Sequence, residues 1–253
     1  MKINVVLYMG RQRLDTLLVD LGHCDSREQA KRLILAGEVK VNDAVAAKPG
    51  SCVLPDDNIT IKEKPRYVGR GGLKLQAALD AFAISVEGSV SLDIGSSTGG
   101  FTDCLLQHGA KKVFAIDAGT NQLAWKLRSD PRVDSREKFN ARYLRLEDLG
   151  ASVDIVVVDV SFISLTKILP SAYDVLKEDG DLVCLIKPQF ELQKSSVGRG
   201  GVVRSAELHD LAVEKIKHFI ERVQHAEWKG LIESPIRGAN GNREFLAWSK
   251  RSR

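Results

Sequence analysis

The segment Ser91-Leu-Asp-Ile-Gly-Ser-Ser-Thr-Gly-Gly-Phe101 constrains the fold of this chain more than any other. An apolar run enters a glycine-rich turn, and the residues beyond the turn have helical spacing. A strand that feeds a helix this way opens a parallel α/β sheet, and the pattern recurs downstream. Ser89 to Ile94, Lys112 to Asp117, Asp154 to Val160 and Asp181 to Ile186 read as strands, with helical segments at 100–108, 164–176 and 205–224 between or after them. Two closing strands, Trp228 to Glu233 and Arg243 to Ser249, flank the turn-rich Ser234-Pro-Ile-Arg-Gly-Ala-Asn-Gly241 as a hairpin. The expected architecture is a mostly parallel sheet ending in an antiparallel hairpin.

Upstream of this region the chain has a different character. Leu14, Leu17, Leu18 and Leu21 fall on one helical face that Gly22 stops, and a second helix runs from Ser26, a candidate N-cap, to Gly37. Val39 to Asp43 and Asn58 to Lys62 alternate as short strands on either side of a loop containing Pro49, Gly50 and Pro55. The expectation is a small α+β domain over residues 1–62, a charged Pro-containing linker over 63–69 and a second domain over 70–253. Residues 1–70 hold 12 Lys and Arg against 9 Asp and Glu, most of the net +4 of the whole chain. Arg27, Lys31 and Arg32 would lie on the second helix, where side-chain charge and helix dipole together suit phosphate.

The glycine turn selects among ligands. After Gly95 the next glycines are Gly99 and Gly100, so the dinucleotide spacing is absent, as is the Lys-Ser/Thr pair of a phosphate loop. Asp93, at the strand end, would repel a pyrophosphate but can hold the ammonium of a methionine moiety, directly or through water. Asp117 ends the next strand and can accept both hydrogen bonds of a ribose diol. Ser96 and Phe101 belong to the same turn, and Asn140, in Lys138-Phe-Asn-Ala-Arg142, is placed either to meet an adenine edge or to close a turn. Together these features favour S-adenosylmethionine over NAD.

Charged residues close several apolar strands: Asp159 in Val158-Asp-Val-Ser-Phe162, Lys187 in Ile186-Lys-Pro-Gln-Phe-Glu191 and Glu244 in Asn242-Arg-Glu-Phe245. Such charges are costly unless paired or used. Lys74, in Arg70-Gly-Gly-Leu-Lys-Leu75, would point from a helix toward the same sheet edge.

These fragments carry a resemblance. Arg-Leu-Asp, Ser-Arg-Glu-Gln-Ala and Leu-Ile-x-x-Gly-x-Val-x-Val-Asn resemble the S4-type RNA-binding domain. Lys74, Asp159, Lys187 and Glu244 resemble the catalytic tetrad of FtsJ-like RNA 2'-O-methyltransferases. Over nearly its full length the chain is similar to the hemolysin A (TlyA) family of ribosomal RNA 2'-O-methyltransferases. The resemblance implies an N-terminal S4-type domain, a Rossmann-like seven-stranded sheet with an antiparallel last strand, S-adenosylmethionine as cofactor, and a cytidine ribose of ribosomal RNA in a ribosomal subunit as substrate. A 2'-hydroxyl is a poor nucleophile at neutral pH, so it needs a base or a cation at the developing alkoxide, for which Lys187 is the candidate. RNA contact is expected from Arg11, Arg13, Arg27, Lys31, Arg32, Arg70, Arg199 and Arg204, the last two in the Gly-rich, basic segment 192–204.

Other classes fit less well. A pseudouridine synthase can also follow an S4-type domain but lacks this strand-helix order. A silent ribosome-assembly factor would have lost tetrad residues or the glycine turn. A membrane-active hemolysin would need an apolar span, a signal peptide or an amphipathic membrane helix. Met1 to Gly10 carries no export signal, and the expected location is the cytoplasm. The cysteines Cys24, Cys52, Cys104 and Cys184 and the histidines have no metal-ligand spacing. Trp125, Trp228 and Trp248 sit in apolar patterns and read as core.

Overall fold

A computed structural model of the chain describes residues 10–54, 56–62 and 65–252. The export-signal reading of the first nine residues, and positions 63 and 64 of the expected linker, lie outside these residues. The chain divides between Lys64 and Pro65 into two compact units.

In the first unit β1 (Gln12–Arg13) leads into α1 (Leu14–Asp20) and α2 (Arg27–Leu35), followed by β2 (Val39–Val41), β3 (Ala44–Val45), β4 (Cys52–Val53) and β5 (Ile59–Ile61). Gly22, at φ +73°, supplies the left-handed turn that ends α1. The Ser26 hydroxyl accepts from the Gln29 N–H at 3.3 Å and starts α2. Leu14, Leu17, Leu18, Ala30, Ile34 and Val39 form the core. Leu21 is 53% exposed rather than part of that face, because it caps the helix and the chain turns away at the next residue. The segment read as a plain loop contains β3, which pairs with β2, and β4, which pairs with β1. Two-residue strands are too short to show alternation.

The second unit runs α3 (Gly71–Phe82), β6 (Val90–Ile94), α4 (Gly100–Gln107), β7 (Lys112–Ile116), α5 (Trp125–Arg128), β8 (Val133–Arg136), α6 (Leu146–Leu149), β9 (Val153–Val158), α7 (Leu169–Val175), β10 (Leu176–Ile186), α8 (Pro188–Glu191), α9 (Ala206–His218), β11 (Glu227–Glu233) and β12 (Phe245–Lys250). The seven strands lie in the order β11-β12-β10-β9-β6-β7-β8. β10, β9, β6, β7 and β8 are parallel, and β12 runs antiparallel to both β10 and β11. The ladder between β10 and β9 is irregular from Leu176 to Asp181, so the regular part of β10 begins where the sequence pattern places it.

Both faces of this sheet are covered. Val156 and Val158 of β9 join one core cluster with Leu92, Ile94, Leu182, Cys184 and Phe245, while Ile155 and Val157 join the other with Leu105, Val183, Leu185 and Leu246. Successive strand residues point to opposite faces, so a sheet buried on both sides needs unbroken apolar runs. Trp228 and Trp248 pack half-buried against these cores, but Trp125 is 77% exposed. It opens a single-turn helix whose inward residue is Leu127, so the surrounding apolar pattern belongs to its neighbours.

Candidate active site

Strand register assembles the site. Ile94 pairs with Ile116 on one side and Val158 on the other, so the residues that follow, Gly95, Asp117 and Asp159, emerge side by side at one sheet edge. The Asp159 N–H donates to the Ile94 carbonyl at 3.0 Å. Because β12 is antiparallel, its first residue, Phe245, pairs with the last residue of β10, Ile186. Glu244 and Lys187 therefore reach the same edge, one entering a strand and the other leaving one.

Lys74 Nζ lies 2.5 Å from Glu244 Oε2, and Lys187 Nζ lies 2.6 Å from Asp159 Oδ1 and 2.9 Å from Ser161 Oγ. Lys187 and Glu244 are buried, at 8% and 2% exposure. All four tetrad candidates line one cavity of about 470 Å³ together with Arg70, Ser161, Phe162, Gln189, Arg237 and Gly238. The buried Lys187 and the half-buried Lys74 each meet a carboxylate, which offsets part of the desolvation that would otherwise expel them. Arg70 and Arg237 add positive charge to the cavity wall.

Two residues outside the sequence prediction shape this arrangement. Ser161 holds Lys187 and sits only two positions after Asp159. Gly238 leaves room for Glu244: a Cβ there would stand 1.9 Å from Glu244 Oε1. The signal for both was present, in the strand-end fragment and in the turn-rich loop, but spacing alone does not say which turn glycine approaches a carboxylate.

The glycine turn abuts this cavity. Gly95 has φ +86°, and a Cβ would fall 2.4 Å from the Asp159 carbonyl oxygen. Gly99, at φ +95°, lies against Leu123 and Leu127, while Gly100 brings α4 close to the backbone of Gly71 and Gly72. The two Asp117 oxygens accept from the N–H groups of Ser97 at 2.8 Å and Gly119 at 2.7 Å. Each carboxylate oxygen keeps a further acceptor site. Ser96 is buried within the turn.

Three expected cofactor contacts take other positions. Asp93 is wholly buried; its Oδ2 accepts from the Thr102 hydroxyl at 2.6 Å, and its Oδ1 has no partner among the described residues. Burial pushes its carboxyl up to about 7, against the opposing hydrogen bond from Thr102 and with a smaller contribution from Asp159. It stands beneath the turn, so direct contact with a ligand is closed. Phe101 is 3% exposed and packs in the core beside Gly71. Asn140 is exposed and accepts from the Arg142 N–H at 3.2 Å, capping a short 3₁₀ turn over Ala141–Tyr143, which is the turn reading of that residue.

The expected RNA-contacting residues divide between the two units. Arg70, Arg199 and Arg204 are exposed in the second. In the first, Arg13 and Arg27 both bind the buried carboxylate of Asp15, at 2.8 and 3.1 Å, and Lys31 pairs with Glu28 at 2.7 Å. The Arg13 guanidinium, joined by Arg27, holds the Asp15 carboxyl well below the usual range in spite of burial. Arg11 and Arg32 are exposed.

Residues 67–251 match the FtsJ-like methyltransferase family, and residues 12–59 match the S4 domain. The chain is 45% identical over 242 residues to the 16S/23S rRNA (cytidine-2'-O)-methyltransferase TlyA of Mycobacterium tuberculosis, spanning 94% of this chain and 89% of that protein. It is 45% identical over 239 residues to Hemolysin A of Brachyspira hyodysenteriae, spanning 93% and 98%. Among solved structures, a candidate hemolysin from Streptococcus thermophilus matches with 44% identity and a TM-score of 0.73, over 97% of this chain and 90% of that one. No helix among the described residues is long and apolar enough to cross a membrane.

Proposed function

The chain belongs to the FtsJ-like methyltransferase family, and from that premise we propose that it transfers a methyl group from S-adenosylmethionine to a ribose 2'-oxygen in ribosomal RNA. One observation carries this reading: two lysine-carboxylate pairs, Lys74–Glu244 and Lys187–Asp159, converge on one cavity beside the Gly95 turn. A silent RNA-binding factor has no need of such costly buried pairs, and a membrane-active protein has no use for them.

The donor set fits the cofactor. Gly95 lets the turn pass directly against the Asp159 backbone, where a side chain would clash, and the spare acceptor sites of Asp117 suit a ribose diol. Gly99 and Ser96 shape the same turn, with Asp93 supporting it from below. When bound there, S-adenosylmethionine supplies an electrophilic methyl group.

The remaining work falls to this chain's residues. Lys187 Nζ donates to Ser161 and is ion-paired with Asp159. A lysine that has yielded one proton keeps two N–H groups for these partners and gains a lone pair, which accepts the proton of the 2'-hydroxyl as the oxygen becomes nucleophilic. Asp159 fixes Lys187, and Glu244 fixes Lys74 on the opposite wall. Positioned proton transfer of this kind is worth about 10²- to 10⁴-fold, with alignment supplying more. Residues 1–62 serve as the RNA-binding S4 domain, 63–69 as a linker and 70–253 as the methyltransferase domain. Arg11, Arg32, Arg70, Arg199 and Arg204 meet phosphates, and Arg13, Arg27 and Lys31 add oriented charge.

The test is mass mapping of ribosomal RNA after incubation with the purified chain and labelled S-adenosylmethionine. The reading predicts an alkali-resistant 2'-O-methyl group, on cytidine by analogy with the named relatives. A methyl group on a base, or none on any ribosomal RNA, contradicts it.

A further inference from the structure

The carboxylate of Glu191 lies outside the cavity and has no role in the chemistry above, yet it is among the most thoroughly engaged in the second unit. Its side chain is 1% exposed. Oε1 accepts from the Leu165 N–H at 2.8 Å, and Oε2 accepts from the Ser164 hydroxyl at 2.5 Å and from Lys215 Nζ at 3.2 Å. Lys215, on α9, also donates to the Glu191 carbonyl oxygen at 2.5 Å.

Ser164 and Leu165 belong to the loop that follows β9, whereas Glu191 ends the short helix that follows β10. The two segments, 159–165 and 187–191, are joined at three places. At the strand ends Lys187 meets Asp159 and Ser161. Midway the rings of Phe162 and Phe190 touch, with centroids 5.2 Å apart. At the far end stands Glu191. Between the first and last of these, Phe162 holds φ +65°, a left-handed conformation that costs a residue with a side chain about 1–2 kcal/mol. Strained backbone persists only where its surroundings hold it. The segment carrying Asp159 and Ser161 therefore depends on its far anchor.

We propose that Glu191 is a positioning residue for methyl transfer: by tethering Ser164 and Leu165 to the end of α8, it sets the spacing at which Asp159 and Ser161 meet Lys187. This rests on the methyl-transfer reading given above. Without the tether, the strained loop relaxes and the Lys187 contacts open, while the cofactor turn, held by β6 and α4, is undisturbed.

The experiment compares Glu191→Ala, Glu191→Gln and Ser164→Ala in the full chain, using single-turnover methyl transfer, cofactor affinity by calorimetry, and crystal structures. A misplacement of about 1 Å costs roughly 100-fold, so Glu191→Ala should lose about that factor in rate with unchanged cofactor affinity. Glu191→Gln should recover part of the rate, because its amide still accepts from Leu165 and can donate to Ser164, while its NH2 loses the bond that Oε2 accepts from Lys215. A carboxylate that only stabilises the fold would lower cofactor affinity and rate together, and that result overturns the proposal, as does wild-type turnover in Glu191→Ala. If Glu191→Ala does not fold, Ser164→Ala, which removes one anchor, must show the same rate loss without an affinity loss. If wild-type protein transfers no methyl group, the methyl-transfer reading has failed, and the crystal structures alone decide on Glu191. An intact Lys187–Asp159 contact in Glu191→Ala refutes the tether, and an opened one supports it.

Discussion

Gly238→Ala tests the geometry of the cavity without touching a charged group. The new methyl would stand 1.9 Å from Glu244 Oε1 and 2.3 Å from its Cδ. Real contacts need more than 3 Å, so the carboxylate must retreat by more than 1 Å. Glu244 is 2% exposed, its only open side is the cavity it lines, and its other oxygen holds Lys74 at 2.5 Å. The displacement breaks a charge-assisted hydrogen bond worth about 1.5–3 kcal/mol and leaves both charges in a poorly solvated place. In rate, a shift of about 1 Å in a positioning group corresponds to roughly 100-fold. Single-turnover transfer of a tritiated methyl group should fall by about that factor, with cofactor affinity unchanged, since the three atoms nearest the new methyl all belong to Glu244 and none to the Gly95 turn or Asp117. Adding Glu244→Asp, which shortens the side chain by one methylene, should restore part of the loss. Wild-type turnover in Gly238→Ala would show that the Lys74–Glu244 pair need not hold this geometry, and a double variant no better than the single would refute the steric reasoning.

Gly95→Ala should abolish cofactor binding in calorimetry while the chain stays folded, because the methyl meets the Asp159 carbonyl at 2.4 Å and the residue keeps φ +86°. Asp93 titrates at about 7 when folded against 3.8 when unfolded, so between those values the folded state binds the extra proton and its stability falls as pH rises. Thermal melts of Asp93→Asn should lack that decline and overtake wild type above about pH 7; parallel curves would contradict the assignment. Asp15 has the opposite sign: its depressed carboxyl stabilises the first unit above the ordinary carboxylate range, and that stability is lost as the solution is acidified through its folded value. Arg32→Gln should weaken rRNA binding and lower the slope of log K against log salt by about 1; an unchanged slope would remove Arg32 from the phosphate contacts.

Six of the seven strands were legible, the central ones because a strand buried on both faces is nearly unbroken apolar sequence; β8, Val-Asp-Ser-Arg at the sheet edge, has no such pattern and is not among the strands read. β9, with Val156 and Val158 on one side and Ile155 and Val157 on the other, leaves little else to read. The convergence of Asp159 and Lys187 was legible for the same reason, since a charge after such a strand stands out. Contacts between distant segments were not. Asp93 reads as a ligand-facing strand-end carboxylate until Thr102, nine residues on, is seen to hold it inside. Phe101 belongs to the packing of α4 on α3, Trp125 is left outside by a helix of a single turn, and Asn140 is occupied by capping. Each depends on a neighbour that sequence spacing does not supply. Ser161, Gly238 and Glu191 were passed over because their partners lie on other segments.

The central claim is that the Lys187–Asp159 and Lys74–Glu244 pairs serve transfer to a ribose hydroxyl rather than stability. The most direct measurement is single-turnover methyl transfer to ribosomal RNA by Lys187→Ala, with cofactor affinity determined on the same sample. The account predicts that transfer is lost while S-adenosylmethionine still binds as in wild type. Transfer at the wild-type rate would contradict it.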